Sequence, residues 1–411
     1  MRGIPGRWRC QTGLIRWPLS RYVGAVAVLT VCLAGSGIAA QPVVNSEGPA
    51  ESDWELSDEP LVRIGLSDGP PKYLFGNVTG AIRLADGSII VADEQSHSLR
   101  KFAPNGDHLW TSGQYGKAPG EYQGLRLIRG CLDSELTVYD WDLDRITDLD
   151  AEGHVSDTRN LASFNVNPYG NPGCAPDGGL VFTPWPDFRS RIEQLNLSPG
   201  DSYRWSVSLN WQNQDLVTVL RLEIPGAERT VLDGGSRPKL WGRQLVFAAA
   251  PTGVWLGTAD DYELEYIDYA GRFVHRARWN GPNLSVTRAQ RQRYRESRLA
   301  RYNTPEDRQR FEHRIWPDIL KNLPARFPAY NAILPLPDGS IWVATHIWLA
   351  PRREVHLLSA KGAWLRRLYI PSDAQLLDAG RDWVLLLEHG DFGEPLVAAY
   401  ELIKDSADAQ F

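Results

Sequence analysis

One recurring pattern limits what this chain can fold into more than any other feature. An apolar strand, a tight turn, a second strand, a polar loop, a third strand, a glycine turn and a fourth strand follow one another five times. From the first turn to the closing glycine the copies read GSIIVADEQSHSLRKFAPNG, SELTVYDWDLDRITDLDAEG, GGLVFTPWPDFRSRIEQLNLSPG, TGVWLGTADDYELEYIDYAG and GSIWVATHIWLAPRREVHLLSAKG. The closing glycines are Gly106, Gly153, Gly200, Gly271 and Gly362, each in a short polar turn of the kind that closes a hairpin. The first two intervals fit one four-stranded unit. The last two carry insertions of roughly 24 and 44 residues beyond it.

A sixth, degenerate unit, LLDAGRDWVLLLEHGDFGEPLVAAYELI, runs from Leu376 to Ile403 and supplies three strands. PLVRIGL, from Pro60 to Leu66, is an isolated strand pattern placed to supply the fourth and close a ring, which removes the open seam of a sheet array. The predicted fold class is therefore all-β. It is a six-bladed β-propeller of four-stranded antiparallel blades over residues 60–404, with an α-helical insertion between blades four and five. The 16 Trp suit it, because sheets packed face to face reward large rigid side chains. The polar stretch 41–59 is expected to be a flexible linker and 405–411 a disordered tail.

VADEQSHSLRKF and VYDWDLDRITDL resemble the NHL repeat, whose pattern is a strand, an Asp, a short loop, then Arg-Ile and an aromatic. Asp93 and Asp140 match its Asp, and Arg145-Ile146 its Arg-Ile. Ser96 and Leu143 stand where Asn is usual, and Ser98 where Arg is usual. The chain is also similar to bacterial six-bladed propellers of the NHL and TolB-like group, which carry a GxGPGE[FY]-like segment after the first blade. GQYGKAPGEYQ, from Gly113 to Gln123, is similar to it. The resemblance implies a fold and no particular activity, since propellers host binding modules, enzymes and scaffolds alike.

Residues 1–40 read as a secretory signal peptide: Arg2, Arg7, Arg9, Arg16 and Arg21 without an acid, an apolar run from Tyr22 to Ala34, then small residues to Ala40. The run is too short to span a bilayer. The leader holds five of the 44 basic residues and none of the 50 acidic ones, so the mature chain carries a net charge of −11. Nucleic acid is an unfavourable partner for such a chain. A periplasmic or secreted location is expected, with no membrane span after the leader. Of four cysteines, Cys131 and Cys174 remain in the mature chain, at equivalent places in neighbouring repeats. They either form a disulfide or stay as two buried thiols.

In an antiparallel four-stranded blade, the loop between strands two and three shares a face with the connection to the next blade. Asp93, Asp140 and Glu388 fall at equivalent loop positions in three neighbouring blades, an arrangement suited to Ca²⁺ or another divalent cation. The competing reading is that each Asp caps its own loop. The next loop positions give Trp141, Trp185, His346 and His389, candidate ligand contacts on the same face. No GxSxG elbow, Cys–His pair, phosphate loop or dinucleotide fingerprint occurs in the mature chain.

The insertion 287–323 opens with a capping box, Thr287 with Gln290, and Thr304-Pro305-Glu306-Asp307 announces a second helix, giving helices over 288–302 and 305–316. Between Arg288 and Arg314 there are nine Arg against four acids, a local charge of +5. Such a lid on the loop face offers Arg295, Arg298 and Arg301 as anion contacts. The expected function is an exported, non-catalytic binding or interaction scaffold without a cofactor, its partner a protein or an anionic small molecule. The alternative is a divalent-cation-dependent hydrolase or lyase with its site at the channel mouth.

Overall fold

The computed structural model describes residues 42–129, 136–161, 172–175, 177–213, 215, 218–233, 235–346 and 352–403, and among these the strands pair into six sheets. The signal-peptide, Cys131 and C-terminal-tail expectations lie outside the described residues. The strands nearest the centre, Val78–Arg83, Leu125–Arg129, Gly173–Cys174, Val246–Ala250, Tyr330–Pro335 and Gln375–Ala379, follow chain order and together line one central cavity of about 630 Å³. That radial arrangement is a β-propeller.

Six apolar clusters, each spanning two consecutive sheets, hold it together. Ile90 and Leu99 meet Leu125 and Val138, Tyr139 and Ile146 meet Leu180, and Val181 and Leu209 meet Val254 and Leu256. Trp255 meets Ile341 and Val343, Trp342 and Val355 meet Val384, and Leu385 and Val397 return to Ile89 and Phe102. The second strands Ile89–Asp93, Leu136–Asp140 and Ile341–Thr345 are buried throughout, as alternate side chains point into the two neighbouring interfaces.

The repeated glycine turns have a common mechanism. Gly106, Gly153, Gly271 and Gly362 all have φ between +79° and +89°, the left-handed region that glycine enters without a steric penalty. Each is accompanied by a one-residue shift in strand register beside the turn, at Lys101/Phe102, Asp148/Leu149, Tyr266/Ile267 and Leu357/Leu358. A three-residue hairpin with a left-handed residue and a bulge produces this shift.

Gly200 breaks the series. The sequence predicts a third strand before it, but Phe188–Gln194 forms helix α1 there, and Gly200 precedes the true third strand, Ser202–Gln212. Asp187 caps the helix by accepting the Ser190 N–H, and Arg, Glu and Gln favour a helix over a strand. The third strand and its partner Thr218–Leu232 are unusually long. Their far ends extend past the second strand, and the end of Thr218–Leu232 pairs with Gly235–Pro238.

The 41–59 linker expectation is corrected. Val43–Ser46 pairs in parallel with Phe273–Trp279 on the outer edge of the fourth sheet. Ala50, Glu51 and Trp54 then donate backbone N–H groups to Trp364, Leu365 and Arg367 of the fifth sheet's outer strand. Glu55–Leu56 and Val62–Ile64 pair with Pro395–Ile403 of the last sheet, Ile64 opposite Val397. The segment is polar because it covers exposed edges, where side chains face water while the backbone is satisfied by the strand beneath.

The insertion forms α2 (Arg288–Leu299), α3 (Pro305–Arg310), a widened turn over Phe311–Ile315 and α4 (Trp316–Asn322). Both predicted starts are present: Thr287 and Gln290 make the reciprocal capping box, and the Thr304 hydroxyl accepts the Asp307 N–H. The widened turn precedes Pro317, which lacks the N–H a regular helix requires. Tyr294 and Phe327 clasp Trp241, with ring centroids 5.1 and 4.8 Å away. Among the described residues no helix is long and apolar enough to cross a membrane.

Candidate functional site

The loop face carries the side chains selected from the sequence, and the insertion sits on it. Ala329 donates its N–H to Ala259 O at 2.9 Å, and Arg326 pairs with Asp261 at 2.7 Å, both partners in the fourth sheet's loop between strands two and three. Beside them Asp260 is gripped by Arg204 and Arg243, each at 2.7 Å. Burial alone pushes the Asp260 carboxyl upward, but Thr258, Arg204 and Arg243 together hold it below the usual carboxylate range.

The three carboxylates considered for a cation are each committed elsewhere. Asp93, 1% exposed, accepts the N–H groups of Gly76 and Asn77 at 3.2 and 2.8 Å, the Ser96 hydroxyl at 2.8 Å and Arg100 Nη2 at 3.3 Å. Asp140, equally buried, accepts four backbone N–H groups, from Gln123 at 2.7, Gly124 at 3.0, Asp142 at 3.1 and Leu143 at 3.0 Å. Glu388 accepts the Tyr400 hydroxyl at 2.8 Å and Arg63 at 3.2 Å. Among the described residues no group of three or more His, Cys, Asp or Glu side chains is disposed to hold an ion, so these three are not gathered. The end of a second strand faces the incoming connection, whose turned backbone has N–H groups that need acceptors.

Two arginines lock the same connections. Arg100 Nη1 donates to Leu74 O at 2.7 Å, and Arg145 Nη1 to Lys117 O at 2.7 Å. Glu121 of the GQYGKAPGEYQ segment caps that loop by accepting the Lys117 and Ala118 N–H groups. Ser98 stands opposite Asp93 as Arg145 stands opposite Asp140, and in this blade it is Arg100, two residues on, that donates to the connection.

The remaining sequence candidates are dispersed. Trp141, 44% exposed, donates Nε1–H to Glu94 at 2.9 Å, and Trp185 is exposed. His389 is exposed at the end of its strand, beside Phe392, whose exposure the sequence did not flag. In the lid, Arg295 is tied to Glu312, Arg301 is exposed, and the buried Nε of Arg298 has no acceptor among the described residues. Arg295 is thus a strut between α2 and the turn after α3, a correction to its role as an open anion contact. Cys174 is disulfide-bonded, with its partner outside the described residues.

His346 lines a concavity. A pocket of about 550 Å³ opens between the fifth and sixth sheets, lined by Asn331, Trp342, His346, Arg353, Asp373 and Leu376 with neighbouring residues. Among the described residues no hydrogen-bond partner is found for several enclosed polar atoms of the lining residues: Asn331 Oδ1, Trp342 Nε1, both His346 ring nitrogens and Arg353 Nε. Trp342 is fully buried and Arg353 only 8% exposed. The His346 ring lies 6.0 Å from Phe327, which follows the insertion. Arg353, Asn331 and Trp342 were missed in the sequence because strand residues carry no sign of which polar atom will lack a partner.

Burial, assisted by the Arg353 charge, pushes the His346 imidazole down to about 4. Its folded value lies below the free value of about 6.5, so the unfolded chain takes the proton first as pH falls. Stability contributed by neutral His346 is therefore present above pH 6.5 and lost toward pH 4. The melting temperature of a His346→Asn variant should fall less than that of the wild type between pH 7 and 4.5. Parallel profiles would remove His346 from this role.

No family model matches the chain, and no curated protein matches it. Among solved structures, 88% of the chain is similar to 99% of an exported protein from Bacteroides fragilis, at 11% identity and a TM-score of 0.46. Virginiamycin B lyase from Staphylococcus aureus matches 85% of the chain over its full length, at 11% identity and a TM-score of 0.39. Regucalcin, a calcium-binding protein from Agrobacterium tumefaciens, matches 86% of the chain over 96% of its own, at 11% identity and a TM-score of 0.34. At these identities the likeness concerns the fold alone.

Proposed function

We propose that this protein is an exported, six-bladed propeller of the NHL-like group that works as a binding module, taking a small-molecule ligand on its loop face between the fifth and sixth sheets. Six interfaces between consecutive sheets support the blade count, and Asp93, Asp140 and Arg145 in their loop-locking roles support the NHL kinship. The Arg-rich leader supports export.

The observation that carries the binding reading is Arg353, 8% exposed and without a side-chain partner among the described residues, in the wall of one pocket. Leaving a buried polar group unsatisfied costs on the order of 1–3 kcal/mol, and more for a charged one. The pocket volume falls in the range of small-molecule sites. A metabolite library screened by ligand-observed NMR tests the reading. Hits should bind the wild type and be lost in Ser372→Trp, which fills the pocket from its rim. A library that yields no hits, or hits that bind the filled variant equally, would sink it.

A further inference from the structure

Resting on that reading, we infer that the pocket between the fifth and sixth sheets recognises a monocarboxylate with an apolar body, its carboxylate seated on Arg353. Arg353 lies in the third strand of the fifth sheet, opposite Ile370, with its side chain lining the pocket. It makes no side-chain hydrogen bond or ion pair among the described residues. A guanidinium enclosed to this extent without a counter-ion is expensive, which is why buried arginines elsewhere in this chain have partners: Arg100 has Asp93, and Arg366 has Glu51 and the Trp54 ring. A carboxylate matches the planar fork of donors in two parallel bonds.

The surrounding groups narrow the ligand further. Arg353 is the one cationic residue lining the pocket, while Asp373 lies exposed at its rim. A single negative charge is balanced there, and a multiply charged phosphate meets repulsion on entry. Ile333, Leu334 and Leu376 provide apolar wall, so the body of the ligand is aliphatic or aromatic.

The test uses two probes of nearly equal shape, 4-hydroxyphenylacetate and its uncharged twin 4-hydroxyphenylacetamide, with inorganic phosphate as the third. Titration calorimetry on the whole protein should show the carboxylate binding at least tenfold more tightly than the amide, and phosphate not competing. Arg353→Met should lose at least tenfold of the carboxylate affinity while its ligand-free melting temperature stays level or rises, because an uncompensated buried charge has been removed. A structural role would instead lower that temperature, and such a fall would overturn the assignment. Equal binding of acid and amide would overturn the carboxylate while leaving a ligand pocket in place. No binding of either probe would overturn the inferred class, and the library screen then decides separately whether the pocket binds anything.

Discussion

Removing residues 42–58 should lower the melting temperature by roughly 10 °C or more, although the sequence of this stretch looks like a dispensable linker. The deletion strips a covering strand from the outer edges of the fourth and fifth sheets and Glu55–Leu56 from the last. It also removes Trp54, 7% exposed, which packs with Trp342, Leu368 and Tyr400 across the fifth and sixth sheets and lies under the Arg366 guanidinium at 4.7 Å. Trp54→Ala alone should cost about 3–5 kcal/mol through the cavity it leaves. Arg367, paired with Asp53 at 2.7 Å, and Arg366, paired with Glu51, would lose their partners on deletion. The bared edges of Phe273–Trp279 and Trp364–Pro371 would become templates for pairing with other chains, so aggregation should accompany unfolding. A truncated protein that melts within a degree or two of the full one, measured by calorimetry, would refute this account of the strap.

The second large effect is expected at Asp140. Replacing it with Ala leaves four backbone N–H groups at a nearly closed site without an acceptor, and should destabilise the fold by about 3–5 kcal/mol. Asp140→Asn keeps one carbonyl oxygen and should cost markedly less. Since the carboxylate is saturated by donors from its own chain, a chelator should leave the wild-type melting temperature unchanged. If chelation lowers it as far as Asp140→Ala does, Asp140 holds a cation and the turn-capping role fails. The parallel position Asp93 should respond in the same sense, with Arg100 losing its carboxylate partner in addition.

Much of the fold was legible because a propeller is written locally. Turns such as Asn105-Gly106 and Asp338-Gly339 need a glycine in the left-handed region, and buried second strands such as Ile89–Asp93 and Ile341–Thr345 need continuous apolar runs. Both requirements concern residues adjacent in the chain, so the repeat shows them directly. The capping box at Thr287 is local in the same way and was readable to the residue. The third repeat failed where two local signals competed. RSRIEQL alternates well enough to suggest a strand, yet the Asp187 cap and helix-forming side chains decide for α1.

The amino-acid sequence by itself determined most of the glycine turns, the joining of Val62–Ile64 to the last sheet and the helical insertion, all of which follow from periodicity and turn chemistry. Only the tertiary structure decided that residues 42–56 are a strap, that Asp93, Asp140 and Glu388 are separately engaged, and that Asn331, Trp342, His346 and Arg353 share a pocket. The physical reason is the same in each case. Whether a polar atom is satisfied depends on which groups other parts of the chain bring within about 3 Å, and a buried arginine in a strand reads identically whether or not a carboxylate awaits it.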